Sequence, residues 1–132
     1  MDLSLILSVS SLPGLFKMIA NRSNGLIVED LDSGKSRFVS ARKHQFTPLE
    51  SISIYTLSDT IPLKDVFKIM QGKDQTTIPV KGAKDDEIKA YFKEVLPEYD
   101  EDRVYPKDMK KLFRWYVFLR DKELLVGGDE EE

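Results

Sequence analysis

The sequence predicts an α+β protein: a small SH3-like or Sm-like bent sheet or barrel, followed by a short helical domain. Three observations lead there. Before Thr56, apolar and polar residues alternate in short runs, as half-buried strands require. After Lys84, apolar residues recur every three or four positions, as amphipathic helices require. Between the two regimes lies a stretch rich in Gly, Thr, Lys and Asp.

Taken in order, residues 3–7 form a short apolar segment behind Asp2, expected to be helical and to plug one end of the sheet. Residues 14–20 alternate, with Phe16, Met18 and Ala20 on one side and Leu15, Lys17 and Ile19 on the other. Asn24-Gly25 favours a tight turn because both residues tolerate positive φ. Residues 26–31 form the next strand, Asp32-Ser33-Gly34 the next turn, and residues 37–41 the third strand. A loop through residues 43–48 leads to a strand in which Ile52 and Ile54 alternate with Ser51, Ser53 and Tyr55. Pro62 suits the first turn of a helix carrying Leu63, Val66, Phe67 and Met70, with Gly72 as its stop.

The expected domains are therefore a sheet or barrel with flanking helices over 1–72, a linker over 73–82 and a helical module over 83–125. Within the linker, Ile78-Pro79-Val80 is expected to be a short extended piece docking on a neighbour. Ile88, Tyr91, Phe92 and Val95 make the apolar stripe of one helix, whose first turn holds Asp85, Asp86 and Glu87 against the positive end of the helix dipole. Pro97 ends it. Pro106 opens a longer helix with Met109, Leu112, Phe113, Tyr116 and Leu119 inward. Residues 126–132, closing on Asp129-Glu130-Glu131-Glu132, are expected to be a disordered acidic tail.

The combination resembles an uncharacterised Bacteroidetes family of short two-domain proteins. The resemblance rests on residues 3–10 (LSLILSVS), Pro13-Gly14-Leu15-Phe16-Lys17, and residues 24–29 (NGLIVE). It continues through residues 51–56 (SISIYT), Pro62-Leu63-Lys64-Asp65-Val66, residues 91–100 (YFKEVLPEYD) and Trp115-Tyr116. It departs at Leu12, where such proteins often carry lysine. The resemblance implies the two-part architecture and no activity.

Composition narrows the chemistry. With no cysteine, disulfides, thiolate metal sites and a cysteine nucleophile are excluded. His44 is the only histidine and sits beside Lys43 in a loop. Asp100, Glu101 and Asp102 lack the glycine and ligand spacing of a calcium loop. Gly34-Lys35-Ser36 lacks the upstream glycine of a phosphate loop, since Glu29 stands there. No catalytic, cofactor-binding or metal-ligating residue is assigned, and a non-enzymatic protein is expected. No basic residue precedes the first apolar run, and no run approaches the ~20 residues of a membrane helix, so a cytoplasmic protein without membrane association is expected.

Two surfaces are candidates. Lys17, Arg22, Lys35, Arg37, Arg42 and Lys43 lie on or beside the meander with Phe16, Phe38 and Phe46, a combination that suits nucleic acid. Trp115 and Phe118 lie partly off the buried line of the last helix, as interface anchors do. The favoured expectation is an interaction or regulatory protein that binds another protein. The alternatives are a nucleic-acid-binding accessory protein using the basic meander, or an enzyme whose carboxylates are not evident from spacing.

Overall fold

The computed structural model describes residues 3–79 and 82–125. The described residues divide into two compact units, one up to Ile52 and one from Ser53 onward. The class is α+β, with a five-stranded antiparallel sheet in the first unit and, among the described residues, three α-helices in the second.

The first unit holds β1 (Ile6–Val9), β2 (Phe16–Arg22), β3 (Gly25–Asp30), β4 (Ser36–Ser40) and β5 (Phe46–Pro48). They pair in the order β4-β3-β2-β1-β5, so β4 and β5 are the ends of the ladder. One face carries the core: Leu7, Val9, Phe16, Val28 and Val39 are buried together, with Leu12, Met18, Leu26 and Phe46 packed against them. A bulge between Met18 and Ala20 shifts the register from Met18↔Val28 to Ala20↔Ile27. Ala20 therefore joins Ile27 on the opposite face rather than sharing the side of Phe16 and Met18, because one extra residue inverts the alternation beyond it.

Several expectations are corrected. Residues 3–7 are not a helix: Ile6 begins β1, which is bonded on both sides, to β2 through Leu7↔Phe16 and to β5 through Leu7↔Pro48. The loop over 43–48 contains β5. The first hairpin turns on Ser23-Asn24, with Arg22 facing Gly25, so Gly25 is the first residue of β3. Its φ is not positive. A side chain there would land on the Val39 carbonyl oxygen and the Phe38 ring, so glycine is required by close approach.

The second unit opens with β6 (Ser53–Tyr55) paired to β7 (Thr60–Pro62), a two-stranded ladder separate from the large sheet. Its partners lie later in the chain: Leu57 N–H donates to Glu98 O at 2.9 Å and Asp100 N–H to Tyr55 O at 2.9 Å. Pro62 then caps α1 (Leu63–Gln71), which buries Leu63, Val66, Phe67 and Met70. These apolar side chains group with the later helices, and Phe67 meets Tyr116 edge-on at 5.6 Å. The division consequently falls at residue 52 rather than 72.

Residues 73–79 are not a simple linker. A 3-10 turn over Gln75–Thr77 is capped by Asp74, whose carboxylate accepts from the Thr76 N–H at 2.9 Å and the Thr76 hydroxyl at 2.7 Å. Those bonds hold the Asp74 carboxyl below its ordinary value. Gln75 spends its whole amide here: Nε2 donates to Met70 O and Lys73 O, both at 2.8 Å, and Oε1 accepts from the Tyr116 hydroxyl at 2.7 Å. Ile78 is extended and buried, as expected, whereas Val80 lies outside the described residues. So does the acidic tail over 126–132.

α2 (Asp85–Val95) and α3 (Pro106–Asp121) bury the two stripes read from spacing. Lys84 N–H donates to Glu87 Oε1 at 2.9 Å, and Tyr105 N–H to Asp108 Oδ2 at 3.1 Å, so each helix start is closed by an acid three residues on. The helices meet through aromatic rings, Tyr91 and Phe113 edge-on at 5.3 Å and Phe92 and Phe113 tilted at 6.1 Å.

Candidate functional site

The helical unit carries an apolar cleft of about 560 Å³ along the outer flank of α3. Its walls are Phe113, Val117 and Phe118 from α3, Ile88 from α2, and Pro79 and Ala83 from the segment before α2. Polar groups stand at its margin: Lys110, Arg114 and Asp121. Successive helical residues are about 100° apart, which places Phe118 nearly opposite the buried stripe centred on Tyr116 and Met109. Phe118 is half-buried, and Lys122 Nζ stands 5.7 Å from its ring centroid.

Trp115 lies one turn back on the same flank, also half-buried, with Lys111 Nζ at 5.7 Å from its ring centroid. Trp115 is outside the cleft lining, so the two expected anchors share a helix flank but only Phe118 lines the cavity. Spacing singled out these two aromatics as off the buried stripe but gave no sign of the cleft, since Pro79, Ala83 and Ile88 reach it through the fold. Nor did it show the local charge. α3 has Lys107, Lys110, Lys111, Arg114 and Arg120 against Asp108 and Asp121, within a chain of net charge −3. Lys110 is engaged by Asp85 at 3.2 Å, and Arg120 by Asp121 at 3.1 Å, leaving Arg114 as the exposed cation at the cleft with no ion pair among the described residues.

The six basic residues of the meander are distributed unevenly. Lys17 lies on the face opposite the core, directly across from Glu29. Arg22 closes β2 and bonds the adjacent Asn21 carbonyl. Lys35, Arg37, Arg42 and Lys43 all belong to β4 or its two flanking turns. Phe16 is core and Phe46 is packed against it, while Phe38 is 43% exposed, so one of three aromatics is available to stack. His44 is half-buried, and its Nδ1 donates to the Ser10 carbonyl at 2.9 Å, tying the β4–β5 turn to the end of β1.

Among the described residues, no three His, Asp or Glu side chains gather closely enough to hold a metal ion. No helix among them is long and apolar enough to cross a membrane. Three tyrosines, Tyr91, Tyr99 and Tyr116, are held above their ordinary pKa chiefly by burial. The Tyr91 hydroxyl, alone among buried side-chain polar atoms of the described residues, has no hydrogen-bond partner.

These features define a two-unit α+β protein with an apolar, cation-rimmed cleft on its helical unit. Comparison with known proteins places it more closely. Residues 52–119 match a family described as a domain of unknown function (DUF6852), and residues 3–49 match a second, DUF5606. A solution NMR structure from Bacteroides vulgatus, a structural genomics target, is similar at 36% sequence identity. That match covers 93% of this chain and 89% of the other, with a TM-score of 0.71. The chain belongs to this uncharacterised Bacteroidetes-type family. No curated protein matches it.

Proposed function

We propose that the protein is a non-enzymatic interaction protein, acting in the cytoplasm, whose α3 cleft takes a short amphipathic segment of a partner protein. The observation that carries this reading is the position of Phe118, an aromatic side chain on the far side of its helix from the core, lining an apolar cleft of about 560 Å³. Such anchors carry a large share of binding energy where they occur. Arg114 at the rim sets the chemistry of the partner, an apolar side chain for the cleft floor with an acidic residue close by. The first unit serves as a small bent-sheet scaffold of SH3-like or Sm-like type, a reading supported by its five short antiparallel strands.

Trp115, the single tryptophan, lies three residues from Phe118 and is a built-in reporter. Titration with helical peptides bearing Leu or Phe and Glu on one face should change its emission. Phe118→Ala should weaken that binding tenfold or more, and Arg114→Glu should reverse the preference toward basic peptides. Equal binding by wild type and Phe118→Ala would refute the assignment of the cleft.

A further inference from the structure

The two ends of the large sheet differ. β5 is three residues long and ends in Pro48, which has no N–H to offer, so that edge is blunted. β4 is five residues, Ser-Arg-Phe-Val-Ser, without proline or bulge. The hydrogen bonds at the limits of the β3–β4 ladder fix which way its backbone points. Ala41 N–H donates to Asn24 O at 2.9 Å and Asp30 N–H to Lys35 O at 2.8 Å. With Leu26↔Val39 and Val28↔Arg37 between them, the odd-numbered residues 35–41 face β3. The even-numbered Ser36, Phe38 and Ser40 turn their N–H and C=O groups outward from the sheet. The Ser40 carbonyl is taken by the following turn, through Lys43 and His44 N–H at 3.3 and 3.1 Å. The Ser36 and Phe38 backbone groups have no partner among the described residues.

Charge selects what would fit. From Lys35 to His44 the chain has four cations, Lys35, Arg37, Arg42 and Lys43, and no acid. Among the described residues none of the four is in an ion pair, and Ser36, Arg37 and Phe38 are exposed. The neighbouring acids are occupied or displaced. Asp30 Oδ1 accepts from Asp32 and Ser33 N–H at 2.8 and 3.3 Å, Glu29 faces Lys17 and Ser36, and Asp32 lies in the turn before Lys35. A second copy pairing β4 with β4 would bring four cations against four. A nucleic acid would meet the charges but has no C=O and N–H repeat to match the outward groups of Ser36 and Phe38.

We infer that β4 is a docking edge for an extended acidic segment of a partner protein, which adds to the sheet as a sixth strand and places its carboxylates beside Lys35, Arg37, Arg42 and Lys43. This inference is independent of the α3 cleft.

The test uses the full chain with labelled peptides that alternate Val with Glu, Thr or Lys, plus a Glu peptide in which Pro interrupts the strand. The Val-Glu peptide should bind at least tenfold more tightly than the Val-Thr, Val-Lys or Pro-interrupted peptides. On binding, the Ser36 and Phe38 amide protons should become protected from exchange. Arg37→Glu with Arg42→Glu should abolish this preference while leaving thermal unfolding within a few degrees. Phe38→Pro, which deletes an outward N–H together with the exposed ring, should weaken binding to the same extent, whereas Phe38→Ala, which keeps the N–H, should retain it. Four results would each overturn the inference: equal binding of the Pro-interrupted peptide, tighter binding of single-stranded RNA or DNA, loss of peptide binding on Phe118→Ala, or concentration-dependent protection of Ser36 and Phe38 in the chain alone.

Discussion

Two tyrosines in the second unit should respond with opposite sign to the same deletion. Tyr116 is 1% exposed and Tyr91 5%. Each packs edge-on against a phenylalanine, Phe67 at 5.6 Å and Phe113 at 5.3 Å, contacts that a phenylalanine ring would keep. Only the hydroxyls differ. That of Tyr116 donates to Gln75 Oε1 at 2.7 Å, and that of Tyr91 has no partner. A buried unsatisfied polar group costs about 1–3 kcal/mol, and a made hydrogen bond contributes roughly 1 kcal/mol net. Tyr91→Phe should therefore stabilise the unit, by about 1 kcal/mol. Tyr116→Phe loses its bond and orphans Gln75 Oε1, for a loss of about 1–2 kcal/mol.

The two variants should thus differ by about 2–3 kcal/mol. For a unit of this size each kcal/mol moves the midpoint by roughly 4–8 °C, so calorimetry on the full chain should separate them by more than 8 °C. Urea unfolding should give the same order with unchanged slopes. Gln75→Ala with Tyr116→Phe should cost less than the sum of the separate changes, since the Tyr116–Gln75 bond is lost in each of them. A Tyr91→Phe protein that melts as low as Tyr116→Phe would refute the assignment of an unpartnered hydroxyl.

Two further outcomes follow from other parts of the molecule. Gly25→Ala should destabilise the first unit by about 1–3 kcal/mol, because its new methyl meets the Val39 carbonyl and the Phe38 ring; unchanged amide exchange across β3 and β4 would contradict this. Tyr91, Tyr99 and Tyr116 bind their protons more tightly folded than unfolded, so the stability this confers is complete below the ordinary tyrosine value near 10 and is lost as pH rises beyond it. Urea midpoints measured from pH 8 to 11 should fall above pH 10, and a flat profile would count against the burial of these side chains.

What could be read from the sequence divides along physical lines. The stripes of α1, α2 and α3 were legible because each helix buries one face only, so period and burial coincide from Leu63 to Leu119. The β2–β4 meander was legible for the same reason in period two. β1 was not. It lies between β2 and β5, and Leu3, Ile6, Leu7 and Val9 are all buried, so its apolar run has no polar side to reveal a strand. β6 shows strand alternation, but alternation does not say which sheet a strand joins. That was decided by Glu98 and Asp100, more than forty residues away. Gln75 looked like a linker residue because its partner, the Tyr116 hydroxyl, is equally distant in sequence.

The candidate surfaces show a related limit. Lys35, Arg37, Arg42 and Lys43 were visible as basic residues, and Phe118 as an aromatic off its stripe, yet neither observation carries information about edges or cavities. β4 becomes an edge only through the strand order, and the cleft forms only when Pro79, Ala83 and Ile88 meet α3. Net charge was the less useful guide. The total of −3 averages acids at the start of α2 and in residues 98–102 with cations on β4 and α3. Association is governed by local fields within about a Debye length, ~8–10 Å, rather than by the sum. Both cationic surfaces should therefore attract acidic segments despite the chain's overall negative charge, and that attraction should weaken as salt rises.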